Sequence, residues 1–219
     1  MNDRFGLGWR PELAAGILSN LNRIDVVEVI ADDYFDAPKS KRRALKTLAI
    51  QVPVTLHGVT LGLASSVSVE ATRLEQTARL VEEIQPEFWS EHLAFVRGGG
   101  IEIGHLAAPP RTATTIDGAA RNLAAARKIV GVLPLVENIA TLIDPPGSTL
   151  SEADWTRDIL AAANCALPPL DRSIRPADEM DLHHAPCSGG QSTAQLSFAP
   201  EPRLRAEPRP HAGIDPATC

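Results

Sequence analysis

Six side chains of this 219-residue sequence have types and positions that could do chemistry: Glu28, His57, Glu91, His92, Glu137 and Asn138. Each falls near the carboxyl end of a short apolar, β-branched run. The runs are IDVVEVI (24–30), VPVTL (52–56) followed by His57, FWSEHLAF (88–95) and LPLVENI (133–139). Imidazole and carboxylate gathered in one site suit iron, zinc or manganese rather than calcium. The same groups could also serve as a general acid and base, and spacing alone does not choose between the two. Taken singly, each has a plainer reading. A histidine at a strand end is often only a polar residue satisfied by its neighbours, and Glu28 or Glu91 could pair with a nearby arginine. Recurrence at successive strand ends argues for one shared site. Asp32 and Asp33 read as loop residues, and His105 as a structural or exposed residue of a loop.

The elements that must position these groups alternate along the chain. A glycine-containing run, Phe5 to Trp9, comes first. Pro11 to Leu21 follows with Leu13, Ile17, Leu18 and Leu21 at helical spacing. Further helices are expected over Lys39 to Leu48, Val69 to Ile84, Ile116 to Val130 and Ser151 to Ala163. The second of these sets Leu74, Ala78, Val81 and Ile84 on one face, and Ser151 is placed to cap the last. Five strand–helix units in succession argue for a parallel sheet, whose strand carboxyl ends form the functional face. Gly98-Gly99-Gly100 follows a strand but precedes a strand-like Ile101 to Ile103 and then Pro109-Pro110. It therefore reads as a turn, not a dinucleotide loop. No P-loop, nucleophile elbow or paired CxxC is present.

Composition excludes several classes. Basic residues number 21 against 27 acidic, and a net charge of −6 does not attract nucleic acid or an anionic membrane over the whole surface. No apolar run approaches the roughly 18 residues of a bilayer span, and the first ten residues lack a signal-peptide core, so the cytoplasm is the expected location. The text changes near residue 165. All three cysteines (Cys165, Cys187, Cys219) and nine of the 18 prolines lie from there on, and no lysine follows Lys128.

The segments Gly6-Leu7-Gly8-Trp9-Arg10-Pro11-Glu12, Val27-Glu28-Val29, Leu56-His57-Gly58-Val59, Ser90-Glu91-His92-Leu93-Ala94-Phe95 and Leu135-Val136-Glu137-Asn138-Ile139 occur in order. In this they resemble the DUF692 family, also called UPF0276. These are multinuclear iron proteins with a xylose-isomerase-like TIM barrel, and they include the methanobactin-maturing enzyme. The resemblance covers about residues 4 to 164. It implies two or three iron ions, with His57, His92 and Glu137 as ligands and Glu137 as a carboxylate bridge. It also implies oxygen-dependent modification of cysteines in ribosomally made precursor peptides, often with a small partner protein that presents the peptide. The residues that would act beyond metal binding are not identified.

After Asn164 the family pattern calls for a buried strand with an L-L-L-D-x-x-N type motif. The chain instead reads CALPPLDRSIRPADEMDLHHAPCSGG, and Pro168 and Pro169 would break a central strand. The expectation is therefore an α/β chain of TIM-barrel type that is incomplete after about five units. Residues 1–164 form the partial barrel and 165–219 an irregular, Pro/Arg-rich tail, disordered or read out of frame. Such a product is expected to be marginally stable and short of a full iron site. His183, His184 and Cys187 resemble a metal cluster only superficially, with no rigid scaffold to orient them. Two rival readings are a divalent-metal sugar isomerase or hydrolase of the xylose-isomerase-like superfamily, and a non-catalytic remnant.

Overall fold

A computed structural model describes residues 4–139, 141 and 143–163. The tail from residue 164 onward lies outside the described residues, and with it the reading of a disordered or out-of-frame segment, the HH-x-x-C cluster and the cysteines.

The strand runs become β1 (Gly6–Gly8), β2 (Val26–Ile30), β3 (Val54–Gly58), β4 (Trp89–Leu93) and β7 (Leu135–Asn138), all parallel and neighbouring one another in that order. Helices α1 (Ala14–Ser19), α2 (Lys39–Gln51), α3 (Ala71–Ile84) and α4 (Ala113–Val130) make the crossovers, and α5 (Glu152–Ala162) follows β7. Helices α2 to α5 each pack on the next. A sheet whose strand order never reverses is singly wound, the order in which barrel strands succeed one another. Among the described residues β1 and β7 are its two ends, so what is shown is an α/β fold with a parallel sheet.

The core lies between one face of this sheet and the helices. Val27, Val29, Val54, Leu56, Trp89 and Leu93 from the strands meet Ile17, Leu45, Leu48, Leu74, Leu80, Leu123, Trp155 and Ile159 from the helices. Each fully buried aliphatic side chain of this kind contributes about 1.5–3 kcal/mol. Local signals set the helix ends. Thr112 and Thr115 form a reciprocal capping box at the start of α4, and Ser151 accepts from the Asp154 amide at the start of α5.

Three elements differ from the sequence expectation. The first helix is broken into 3-10 turns around a six-residue α1. Strand β3 starts at Val54 rather than Val52, because Val52 closes α2 by donating to the Leu48 carbonyl. The run 88–95 is two strands. After Leu93 the chain leaves the sheet and builds an antiparallel hairpin, β5 (Phe95–Gly98) and β6 (Ile101–Ala107). Its turn holds Gly99 and Gly100 at φ 58° and 79°, where side-chain-bearing residues are strained. His105 lies on β6 and is exposed.

Candidate metal centre

In a parallel ladder, aligned residues point to the same face, and the register therefore states which side chains meet. Ile30 aligns with His57, His57 with Ser90, and Ser90 with Leu135; two residues further along, His92 aligns with Glu137. All lie on the face away from the helices. One donor atom from each of His57, His92 and Glu137 lies within 4.8 Å of the others. An ion with bonds of about 2 Å reaches all three after small side-chain adjustments. His57 is buried, His92 half-buried and Glu137 exposed, so the cluster opens outward on the carboxylate side.

The two imidazoles meet edge to face, with centroids 4.5 Å apart and planes at 73°. His57 Nδ1 is bonded to Ser90 Oγ at 2.8 Å. His92 Nδ1 is buried and has no hydrogen-bond partner among the described residues. An orphaned buried nitrogen is costly unless something else satisfies it, and a cation does so. Burial, and then the neighbouring His57, hold the His92 pKa below the usual histidine value, against the opposing pull of Glu137, the Gly58 backbone and Asp32. A ring kept neutral is the form that coordinates metal. Two imidazole nitrogens and a carboxylate are a donor set for iron, zinc or manganese. The residues present thus fit a transition-metal ion.

The other recurring polar residues go elsewhere. Glu28 aligns with Thr55 on the same face but is exposed and outside the cluster. Glu91 points to the opposite face of β4 from His92. It is 1% exposed, and it accepts from the His92 amide at 3.0 Å and the Leu61 amide at 3.3 Å. Burial, helped by the charge of Asp32, pushes its pKa up to about 8. A Cβ on Gly58 would lie 2.5 Å from Glu91 Oε2, so only glycine leaves room for that carboxyl. Asn138, also on the helix side, donates to Glu152 Oε1, and Glu152 pairs with buried Arg111 at 2.7 Å.

Sequence reasoning gave no role to Asp32, Ser90 or Asn122. Asp32 accepts from the Val59 amide at 2.9 Å and from the Thr60 hydroxyl, fixing the turn that follows His57. Asn122 on α4 holds the next stretch, donating to the carbonyls of Leu63, Ser65 and Val67 and accepting from the Val69 amide. Of the three, Ser90 alone had a signal: it stands two residues before His92, hence on its face. A cleft of about 390 Å³ lies beside the Thr60 turn, lined by Asp32, Phe35, Asp36, Thr60, Arg73 and Gln76 among others. Among the described residues no helix is long and apolar enough to cross a membrane.

Comparison with known proteins gives a consistent answer. Residues 4–171 match the family model described as RiPP precursor modification enzyme MbnB/TglH/ChrH. A UPF0276 protein of Streptomyces avermitilis is 35% identical over 164 residues, which is 71% of this chain and 33% of that protein. UPF0276 proteins of Paraburkholderia phytofirmans and Acaryochloris marina are 28% and 29% identical over 162 residues, 74% of this chain. Those matches cover 53% and 58% of the two relatives, so the chain spans a third to somewhat over half of the proteins it resembles.

Proposed function

This chain belongs to the RiPP precursor modification enzyme family MbnB/TglH/ChrH, and from that membership we propose that it carries the first part of an iron centre for oxidative modification of cysteine in a ribosomally made precursor peptide. The convergence of His57, His92 and Glu137 on one face of a parallel sheet carries the reading. The buried His92 Nδ1, unpartnered among the described residues, supports it, because a bound cation would satisfy that atom.

Iron held there would supply a Lewis-acid and redox centre that lowers a cysteine thiol's pKa and brings thiolate and oxygen together. The protein's part is positioning. Strands β3, β4 and β7 fix the three side chains on rigid backbone, which holds a site better than loops do. Exposed Glu137 has two carboxylate oxygens, enough to bridge to a second ion. The sheet could close into a TIM-type barrel with further strand–helix units, which would bring further ligands. The peptide approaches over the open carboxyl-end rim, presented by a small partner protein, as in the resemblance noted from the sequence.

Anaerobic titration of the full chain with ferrous iron, followed by elemental analysis, tests the centre. The expected result is saturable iron uptake that falls roughly tenfold or more in affinity in His57→Ala and His92→Ala. No saturable uptake, or uptake unchanged in both variants, refutes the proposal. Preference for zinc, magnesium or manganese over iron would favour the sugar isomerase or hydrolase chemistry instead.

A further inference from the structure

We infer that Ser90 is a positioning residue that fixes the tautomer of His57 and so decides which imidazole nitrogen faces the centre. The inference rests on the proposed metal centre, but its geometry is independent of any ion. The β3–β4 register makes His57 and Ser90 lateral neighbours on the same face as His92. Ser90 Oγ lies 2.8 Å from His57 Nδ1. His57 is only 7% exposed, so water does not compete freely for that nitrogen.

A neutral imidazole has one N–H and one bare nitrogen, and the partner of one nitrogen dictates the role of the other. With Nδ1–H donating to Ser90, the Nε2 lone pair is left bare. Rotation of the ring by a half-turn would break the bond, so Ser90 also fixes the ring's orientation. On His57 it is therefore Nε2 that is left to ligate. His92 offers a contrast, since its Nδ1 has no hydrogen-bond partner among the described residues. The Ser90 hydroxyl could in principle donate instead, which would put the proton on His57 Nε2 and block it. The two arrangements give different spectra.

Nitrogen-15 NMR of the metal-free full chain, with labelled histidine and at a pH where the rings are neutral, reads the tautomer directly. His57 should be the Nδ1–H form in the wild type and lose that preference in Ser90→Ala. Ser90→Thr, which keeps the hydroxyl, should restore it. In parallel, Ser90→Ala should weaken ferrous iron binding about 10- to 100-fold, the usual effect of removing a partner of a ligating histidine. An Nε2–H tautomer in the wild type overturns the inference, and needs no variant to fold. So does wild-type iron affinity in Ser90→Ala while His57→Ala loses it. If instead His57→Ala binds iron like the wild type, the proposed centre falls, while the tautomer measurement still decides the role of Ser90.

Discussion

Replacing Glu91 by glutamine should reverse the sign of its effect on stability as pH rises. The folded protein holds this carboxyl at a pKa of about 8, against 4.5 for the free group, because it is buried against Gly58. Between those values the folded state keeps the proton and the unfolded state has lost it. The folded state binds more protons there, so stability falls as pH rises; it is fully present below pH 4.5 and lost on passing pH 8. Each pH unit carries about 1.4 kcal/mol. From pH 5 to pH 7.5 the wild type therefore gives up roughly 3 kcal/mol through this one group. Glutamine does not titrate. It keeps an acceptor for the His92 amide but turns an NH2 toward the Leu61 amide, sacrificing the longer bond at a cost of about 1 kcal/mol. Glu91→Gln should thus be about 1 kcal/mol less stable at pH 5 and about 2 kcal/mol more stable at pH 7.5. Urea unfolding of both metal-free proteins at half-unit steps of pH gives the difference, in which all other titrations cancel. Parallel stability curves for the two proteins would show that Glu91 is ionised in the fold and the argument wrong.

Two further changes test how the rim is held. Gly118→Ala adds a good helix former to α4, worth about 1 kcal/mol, but its Cβ would sit 2.5 Å from the Ser65 carbonyl and 2.8 Å from Ser66 Cα. Backbone atoms do not yield easily, so a net loss of roughly 1–2 kcal/mol is expected in denaturant unfolding; an increase in stability would contradict the packing described. Arg111→Ala removes the buried partner shared by Asp144, Thr141 and Glu152; the carboxylates left behind reach water, so the loss should be about 2 kcal/mol. Arg111→Lys should recover only part of this, because one ammonium cannot reproduce the fork. Full recovery by lysine in a thermal melt would assign the interaction to charge alone.

The site was legible in the sequence where period and type sufficed. A carboxylate, imidazole or amide near the end of each apolar run gave six candidates without any knowledge of pairing, and the family resemblance singled out His57, His92 and Glu137 among them. Pairing decided the rest. Glu91 and His92 were grouped together because both come late in a strand, yet adjacent residues on a strand face opposite ways, and only His92 joins the cluster. The start of β3 moved two residues because α2 runs on through Gln51, a tertiary preference that composition does not encode. The turn at Gly98-Gly99-Gly100 and the strand-like run after it were readable, but the break before them was not: FWSEHLAF reads as one run, and nothing local marks Ala94 as the point of departure. Ser90 needed the β3–β4 register, which no single strand contains.

The β5–β6 hairpin occupies no place in the five-strand ladder, since β4 pairs directly with β7. It is moored from outside. Arg97 donates to the Thr60 and Leu61 carbonyls and pairs with Glu102, and Arg73 reaches Glu102 from α3. A projection fastened this way behaves as an interchangeable fitting. Its length and tip should tolerate redesign by grafting in the laboratory while the strands beneath keep their alignment and the histidines keep their spacing.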